Sequence, residues 1–465
     1  MAKMGYTLEG GGNSMKQSDS LQQTVHALAV GLKETYSIPE TYYTDQRVKL
    51  GLRNTDGTGV AIGVSKIGSV QGYFMREGHR VPQPGKLYYH GISVEDIVEA
   101  HRAAGSFGYE EVAYLLLLGV LPTQAQLDCF RSVLTQARRM PAGFTEDFLL
   151  RAPSPDIMVQ LARSVLALYS YDQTPNDLSA ENLLRQSIEL VSRFPLIAAN
   201  AYAAKRHYFE GKSLYLHNPS PDLSVAENIL RMIRPDKTYS PEEAHLLDLV
   251  MILHAEHSSN NSTFVCRAMT SSGTDTYSAI AGAVGSLKGP LHGGASGKVM
   301  QMFRDVREHV GLDPSDAALD DYLEKILDGA ANDGSGKIYG LGHAVYTLSD
   351  PRAVILRRYA SELATEPEYQ DEFALLQRIE TRGIARILAR KHDDMPLCAN
   401  VDLYSGMVYR MLGIPEDMYT PLFACARISG WCAHRLEEVL TCGRIMRPAY
   451  RTALTETPYV PIESR

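Results

Sequence analysis

From residue 93 almost to its end, the chain is punctuated as a succession of helices and as little else. Such punctuation constrains a fold strongly, because each start and stop fixes where an apolar stripe begins and ends. Ser240-Pro241-Glu242-Glu243 is the cleanest start: a capping hydroxyl, a proline at the first helical position and a glutamate at the third. Thr123 with Gln126 makes a similar start, and Ser93 with Asp96 another. Tyr109 to Leu118 stops at Gly119, with Pro122 just beyond. Ser154-Pro155 is expected to open a helix carrying Ile157, Leu161, Val165 and Leu168, and Pro195 to kink or break another. Only residues 58–92 carry a β signal, with Val60, Ile62, Val64, Ile67 and Val70 spaced by Gly and Ser. Residues 1–18 read as a disordered leader with Met15 as an alternative start, and Leu21 to Tyr36 as one amphipathic helix. There is no fixed-period repeat, so a solenoid is not indicated. The expected fold is all-α, with minor short strands near residues 58–92.

Composition narrows the partners. The chain has 465 residues, 46 Lys+Arg against 54 Asp+Glu and a formal charge of -8, so no basic surplus exists to neutralise a nucleic-acid backbone. No apolar run approaches the ~20 residues of a membrane span. The start lacks a secretory pattern, and no Arg precedes Arg47 to suggest a mitochondrial transit peptide. The six cysteines form no C-x-x-C pair, so free thiols in a reducing cytoplasm are expected. An anionic substrate would then have to be met by a few placed arginines.

Several short stretches concentrate chemistry. His254-Ala255-Glu256-His257 ends the helix opened by Ser240, and helical steps put both histidines on its apolar side. A satisfied core histidine, a metal ligand and a substrate hydrogen bond are all open readings there. The spacing is not H-E-x-x-H, and Glu256 is misplaced for that motif's base. His292 sits in the Pro/Gly turn Gly289 to Ala295, just before a helical run; a helix N-terminus keeps such an imidazole neutral and able to donate to an enolate. The following Ser296-Gly297-Lys298 does not complete a phosphate loop. Gly340-Leu341-Gly342-His343 leads to Asp350-Pro351-Arg352, where the proline is expected to fix the turn into a helix. Asp402, in Asn400 to Gly406, is either a helix cap or a base. Phe423, Arg427 and Trp431 share one helical stripe, and a guanidinium placed there needs an anionic partner. Arg447 lies in a later segment and reads otherwise as part of a solvated basic face.

Taken together these strings resemble the citrate synthase family: HAEHSSNNSTF at 254–264, GPLHGGA at 289–295, GLGHAVYTLSDPRA at 340–353, NVDLYSG at 400–406, RISGW at 427–431 and Arg447-Pro448. GKLYYHGISVEDI at 85–97 and YEEVAYLLLLGVLPT at 109–123 extend the likeness over roughly residues 50–450. The resemblance implies condensation of acetyl-CoA with oxaloacetate and hydrolysis of citryl-CoA. It makes Asp402 the base, His292 the donor to the thioester oxygen and His343 the group that polarises the oxaloacetate carbonyl. It implies an oxaloacetate site of His257, Arg352, Arg427 and Arg447, with Arg447 reaching the active site of the partner in a homodimer. Gly340, Leu341 and Gly342 would receive CoA, with Lys337 and Lys391 as candidates for its phosphates. Neither metal nor cofactor is implied, since acetyl-CoA is a substrate.

The same resemblance implies a leader over 1–45, a large helical domain over 46–295 and 413–465, and a smaller helical domain over 296–412 that closes over the active site. Departures from the family pattern are Ala344 and Thr347, where basic residues are common, and Ala399 and Leu403 beside Asn400 and Asp402. A 2-methylcitrate synthase, taking propionyl-CoA through the same residues, is the nearest rival, because one methylene is worth only ~1–3 kcal/mol. A helical metal-binding or structural protein built on His254 and His257 is the distant one.

Overall fold

The structure, a computed structural model, describes residues 21–364, 366–391, 395–441 and 443–465. The expected leader over 1–18 lies outside them. Residues up to Ala61, together with Arg447–Arg465, group as one unit, and Ile62–Met446 as another. In the first unit the expected helix over 21–36 is interrupted. Residues 21–29 are helical, Gly31 turns into the left-handed region at φ 82°, and a short helix follows over Leu32–Thr35.

The larger unit begins with an antiparallel hairpin, β1 (Gly68–Arg76) and β2 (His79–Tyr89), extended by β3 (Ile92–Ser93). The β signal therefore holds, but Val60, Ile62, Val64 and Ile67 fall outside the strands and Val70 within β1. Helices follow: α1 (Val94–Ala104), α2 (Tyr109–Leu118), α3 (Gln124–Ala137), α4 (Ile157–Leu168), α5 (Ala180–Glu210), α6 (Val225–Ile233), α7 (Pro241–His254), α8 (Asn261–Thr270) and α9 (Thr276–Lys288). Then come α10 (Ala295–Val310), α11 (Asp316–Leu327), α12 (Pro351–Leu363), α13 (Pro367–Arg390), α14 (Val401–Met411) and α15 (Tyr419–Thr441).

The capping boxes at Thr123 and Ser240 form as expected. Two starts differ. Ser93 makes no side-chain cap, because it is already the last residue of β3, paired with Tyr88. The helix after Ser154-Pro155 is capped by Asp156, whose carboxylate accepts from Val159 N at 3.0 Å, while Ser154 holds the turn upstream. Pro195 does not break α5; the helix runs through it, and Phe194, Pro195, Leu196 and Ile197 are all buried. Packing on this scale offsets the ~3 kcal/mol that an interior proline costs.

Helix α15 is the centre of the core. It is buried almost all round from Tyr419 to Leu436 and packs against α2, α5, α7, α8 and α9. Helices α10 to α14 pack mainly on one another and meet the rest through α10 on α15, α12 on α7 and α12 on β2. Within that group, the fully buried Glu372 takes Arg307 Nη1 at 2.6 Å and Arg410 Nε at 2.7 Å, joining α10, α13 and α14. Removing it takes the ion-pair partner from Arg307 and leaves Arg410 the longer pair with Glu368, at 3.4 Å. Because both arginines are partly exposed, the expected loss for Glu372→Ala is about 2–3 kcal/mol, below the full penalty of an orphaned buried charge. Thermal unfolding followed by circular dichroism measures it, with Glu372→Gln expected to lose less.

Candidate active site

The hairpin is the platform for the first part of the site. At Gly72 and Gly85 a Cβ would collide with the backbone at Val345 and Ser349, so the loop after His343 can lie flat on the strands. Thr347 Oγ1 donates to Gly72 O at 2.5 Å, and Gly85 N donates to Ser349 Oγ at 3.1 Å. The loop folds back on His343, whose Nδ1 accepts from Val345 N at 3.0 Å and Tyr346 N at 3.1 Å. An Nδ1 used as an acceptor leaves the neutral ring's proton on Nε2, which makes Nε2 the donor. The loop ends on Asp350, which caps α12 at Arg352 N, with Pro351 in the first turn as expected. The same carboxylate grips the Arg352 side chain through Nε at 3.0 Å and Nη2 at 2.7 Å. Burial works against the charge of Arg352, and Asp350 more than restores it.

The second part follows α7. The helix stops at His254, so the expected placement of His257 on its face does not hold. The chain bends through Ser258, at a φ of 50°, until Asn260 caps α8. His257 thereby reaches Tyr346 Oη at 3.2 Å and lies 5.2 Å from the His343 ring, nearly perpendicular to it. Burial and Arg352 hold its pKa well below the usual imidazole range, so it is neutral at pH 7. His254 is buried, bonds Val250 O at 2.9 Å through Nδ1 and packs on the Phe423 edge.

His292 sits in the turn ahead of α10. Its Nε2 accepts from Ser262 N at 3.3 Å and is 2.9 Å from Ser262 Oγ, which also accepts from Trp431 Nε1 at 3.2 Å. Those bonds direct the Nδ1 proton of the neutral ring away from Ser262. Burial, with Arg427 adding to it, pushes its pKa down to about 4. His292 is therefore neutral at pH 7, with burial rather than a helix N-terminus as the main cause.

Asp402 does not cap α14; Asn400 does, accepting from Asp402 N at 3.0 Å. Asp402 Oδ1 is buried without a partner. Burial raises its pKa to about 7; Arg352 opposes the shift and Asp350 adds to it. Arg427 is fully buried on α15, with its guanidinium 4.8 Å from the centre of the Phe423 ring. Its Nε donates to His254 O at 2.6 Å and its Nη2 has no partner. Burial lowers its pKa to about 10, against the pull of Glu256. Among the described residues no ion pair to Arg427 is found.

The structure thus brings together His257, His292, His343, Arg352, Arg427 and Asp402. Gly340 and Gly342 lie at φ 84° and 92°, and a Cβ on Gly340 would lie 2.8 Å from Leu403. Gly340 O accepts from Asn400 N at 2.9 Å, and Leu341 bridges Ala399, so this strip ties the His343 loop to the Asp402 helix. Lys337 and Lys391 are exposed, and Arg447 is exposed in the other unit. Asp350, Ser262 and Tyr346 escaped the sequence reading. Asp350 beside Pro351 is a cap signal that could have been read; the other two act only across the fold.

His343 and His292 with assigned donor nitrogens, a carboxylate whose pKa burial raises to about 7 and a buried arginine together make a set of groups suited to acid–base chemistry. A family model described as citrate synthase, C-terminal domain, matches residues 54–449. A citrate synthase of Acidithiobacillus ferridurans is 35% identical over 82% of this chain and 93% of its own length. A 2-methylcitrate synthase of Shewanella oneidensis is 31% identical over 82% and 92%. The ternary complex of carboxymethyl coenzyme A and oxaloacetate with citrate synthase from Thermoplasma acidophilum superposes with a TM-score of 0.74, at 27% identity, over 90% of this chain and 99% of that one. The chain belongs to the citrate synthase family.

Proposed function

We propose that this protein condenses oxaloacetate with acetyl-CoA and then hydrolyses citryl-CoA. The observation that carries this reading is Arg427, a buried guanidinium with an unbonded Nη2, set near His254, His257, His292 and Asp402. Arg427 and Arg352 bind the oxaloacetate carboxylates, joined in a homodimer by Arg447 of the partner subunit, and His257 adds a hydrogen bond. His343 Nε2–H polarises the ketone. Asp402 removes a proton from the thioester methyl while His292 Nδ1–H stabilises the enolate oxygen. The enolate carbon attacks the ketone, and His343 protonates the new alkoxide. Water then attacks the thioester carbonyl and CoA leaves as its thiol. Proton transfers suffice for these steps, and acetyl-CoA is consumed as a substrate. Residues 296–412 act as the closing domain over 46–295 and 413–465, and CoA lies along 340–342 near Lys337 and Lys391. The enzyme works in the cytoplasm, in keeping with free thiols at Cys129, Cys266, Cys398, Cys425 and Cys432.

The test is oxaloacetate-dependent thiol release from acetyl-CoA, compared with propionyl-CoA. A kcat/KM advantage for propionyl-CoA would overturn the choice of acyl donor. A pH profile follows from the same site. The base must be ionised, and its pKa is raised to about 7, so kcat/KM should fall tenfold per pH unit below that point and level off above it. His292, at about 4, stays neutral across this window. An acid limb centred near the ordinary carboxylate value would contradict the assignment.

A further inference from the structure

Glu256 stands between the two histidines of its motif, and the reaction as derived does not use it. Its side chain is fully buried. Oε1 accepts from His434 Nε2 at 3.0 Å, while His434 Nδ1 accepts from Arg267 Nη1 at 3.0 Å. Arg267 in turn pairs with Glu437 at 2.6 Å and Glu438 at 2.7 Å. The imidazole is therefore held between a guanidinium and a carboxylate, with its proton directed at Glu256.

The contacts fall in register along one stripe of α15. Arg427 takes the carbonyl of His254. One turn on, Gly430 leaves room for the peptide at Ala255 and for Glu256, whose Oε2 would be 2.6 Å from a Cβ there. A further turn on, His434 takes the carboxylate. Gly68 closes over the other side, where a Cβ would be 2.8 Å from Oε1. Tyr89 Oη accepts from Glu256 N at 3.3 Å. Residues 254–256 are thus pinned to α15 at both ends, just ahead of His257 and of Ser258 in its left-handed conformation. A non-glycine residue persists there only when its surroundings over-determine it. Asn260 Nδ2, which donates to Ser258 O at 3.2 Å, is the downstream anchor, and Glu256 is the upstream one.

We propose that Glu256, through its hydrogen bond with His434, is a positioning residue that holds the His257–Ser258 bend in the geometry that receives oxaloacetate. This rests on the reading of the site as an oxaloacetate site. The test compares steady-state kinetics of wild type, Glu256→Ala and Glu256→Gln in the full chain. Glu256→Ala should raise the KM for oxaloacetate at least tenfold and leave that for acetyl-CoA within about twofold. Glu256→Gln, which keeps an oxygen for His434 Nε2–H, should restore the oxaloacetate KM to within about threefold of wild type. If Glu256→Ala does not fold, His434→Phe, which removes the donor and keeps the ring, should raise the same KM at least fivefold. An unchanged oxaloacetate KM in Glu256→Ala or His434→Phe, or a Gln variant as impaired as Ala, overturns the proposal. Wild-type protein without oxaloacetate-dependent thiol release would instead overturn the reading on which it rests.

Discussion

Asp402→Asn should abolish oxaloacetate-dependent thiol release from acetyl-CoA, with kcat falling by at least ~10³-fold, while oxaloacetate still binds. The asparagine matches the carboxylate in shape, so Asn400 can keep its cap on residue 402. What disappears is the base, and a positioned base contributes ~10²–10⁴-fold. The upper part of that range is expected because the carboxylate's own environment has raised its pKa to about 7, where a base is strong and about half ionised at neutral pH. Oxaloacetate binding should survive, since the substitution removes a negative charge that acts on Arg352 and Arg427. The only tryptophan, Trp431, bonds Ser262 Oγ, which touches His292, so its fluorescence gives a binding readout independent of turnover. Turnover within tenfold of wild type would exclude Asp402 as the base. Lost oxaloacetate binding would place it in the substrate clamp instead.

How far the sequence discloses such a site depends on how far apart the cooperating residues lie. Local rules read well. The boxes at Ser240 and Thr123, and the stop at Gly119, depend on a few consecutive residues and were legible. The stripe of Phe423, Arg427 and Trp431 is also local, and all three side chains are buried with the guanidinium over the Phe423 ring. Helical extrapolation failed at His257, because Asn260 begins a new helix too soon for α7 to continue. Gly340 and Gly342 are explained in this structure by left-handed backbone and close packing on Leu403 and Leu397, which no lone G-x-G reveals. Glu256 was legible as a residue but not as a contact, since its partner His434 is 178 positions away. The same holds for Ser262 and His292.

Arg427→Met should separate stability from function in opposite directions. A buried charge without an ion pair is a standing cost of several kcal/mol to the empty protein, and burial has already lowered the pKa of Arg427 to about 10. Methionine fills much of the same volume on the Phe423 face and carries no charge. The variant forfeits the bond from Nε to His254 O, a net loss of about 1 kcal/mol. The balance favours the folded state, so the unliganded variant should melt higher than wild type by a few degrees, corresponding to about 1–2 kcal/mol. Oxaloacetate affinity should move the other way. A desolvated, charge-assisted contact to a carboxylate is worth about 3–5 kcal/mol when broken from one side, so KM should rise by at least ~10²-fold. Wild type should therefore gain much more thermal stability from saturating oxaloacetate than the variant does, because only a ligand that binds the folded state shifts its melting point. A variant that melts lower than wild type without ligand would mean that Arg427 holds the core together. One that melts higher and keeps its oxaloacetate affinity would mean that the anion is held by Arg352, His257 and Arg447 of the partner subunit without Arg427.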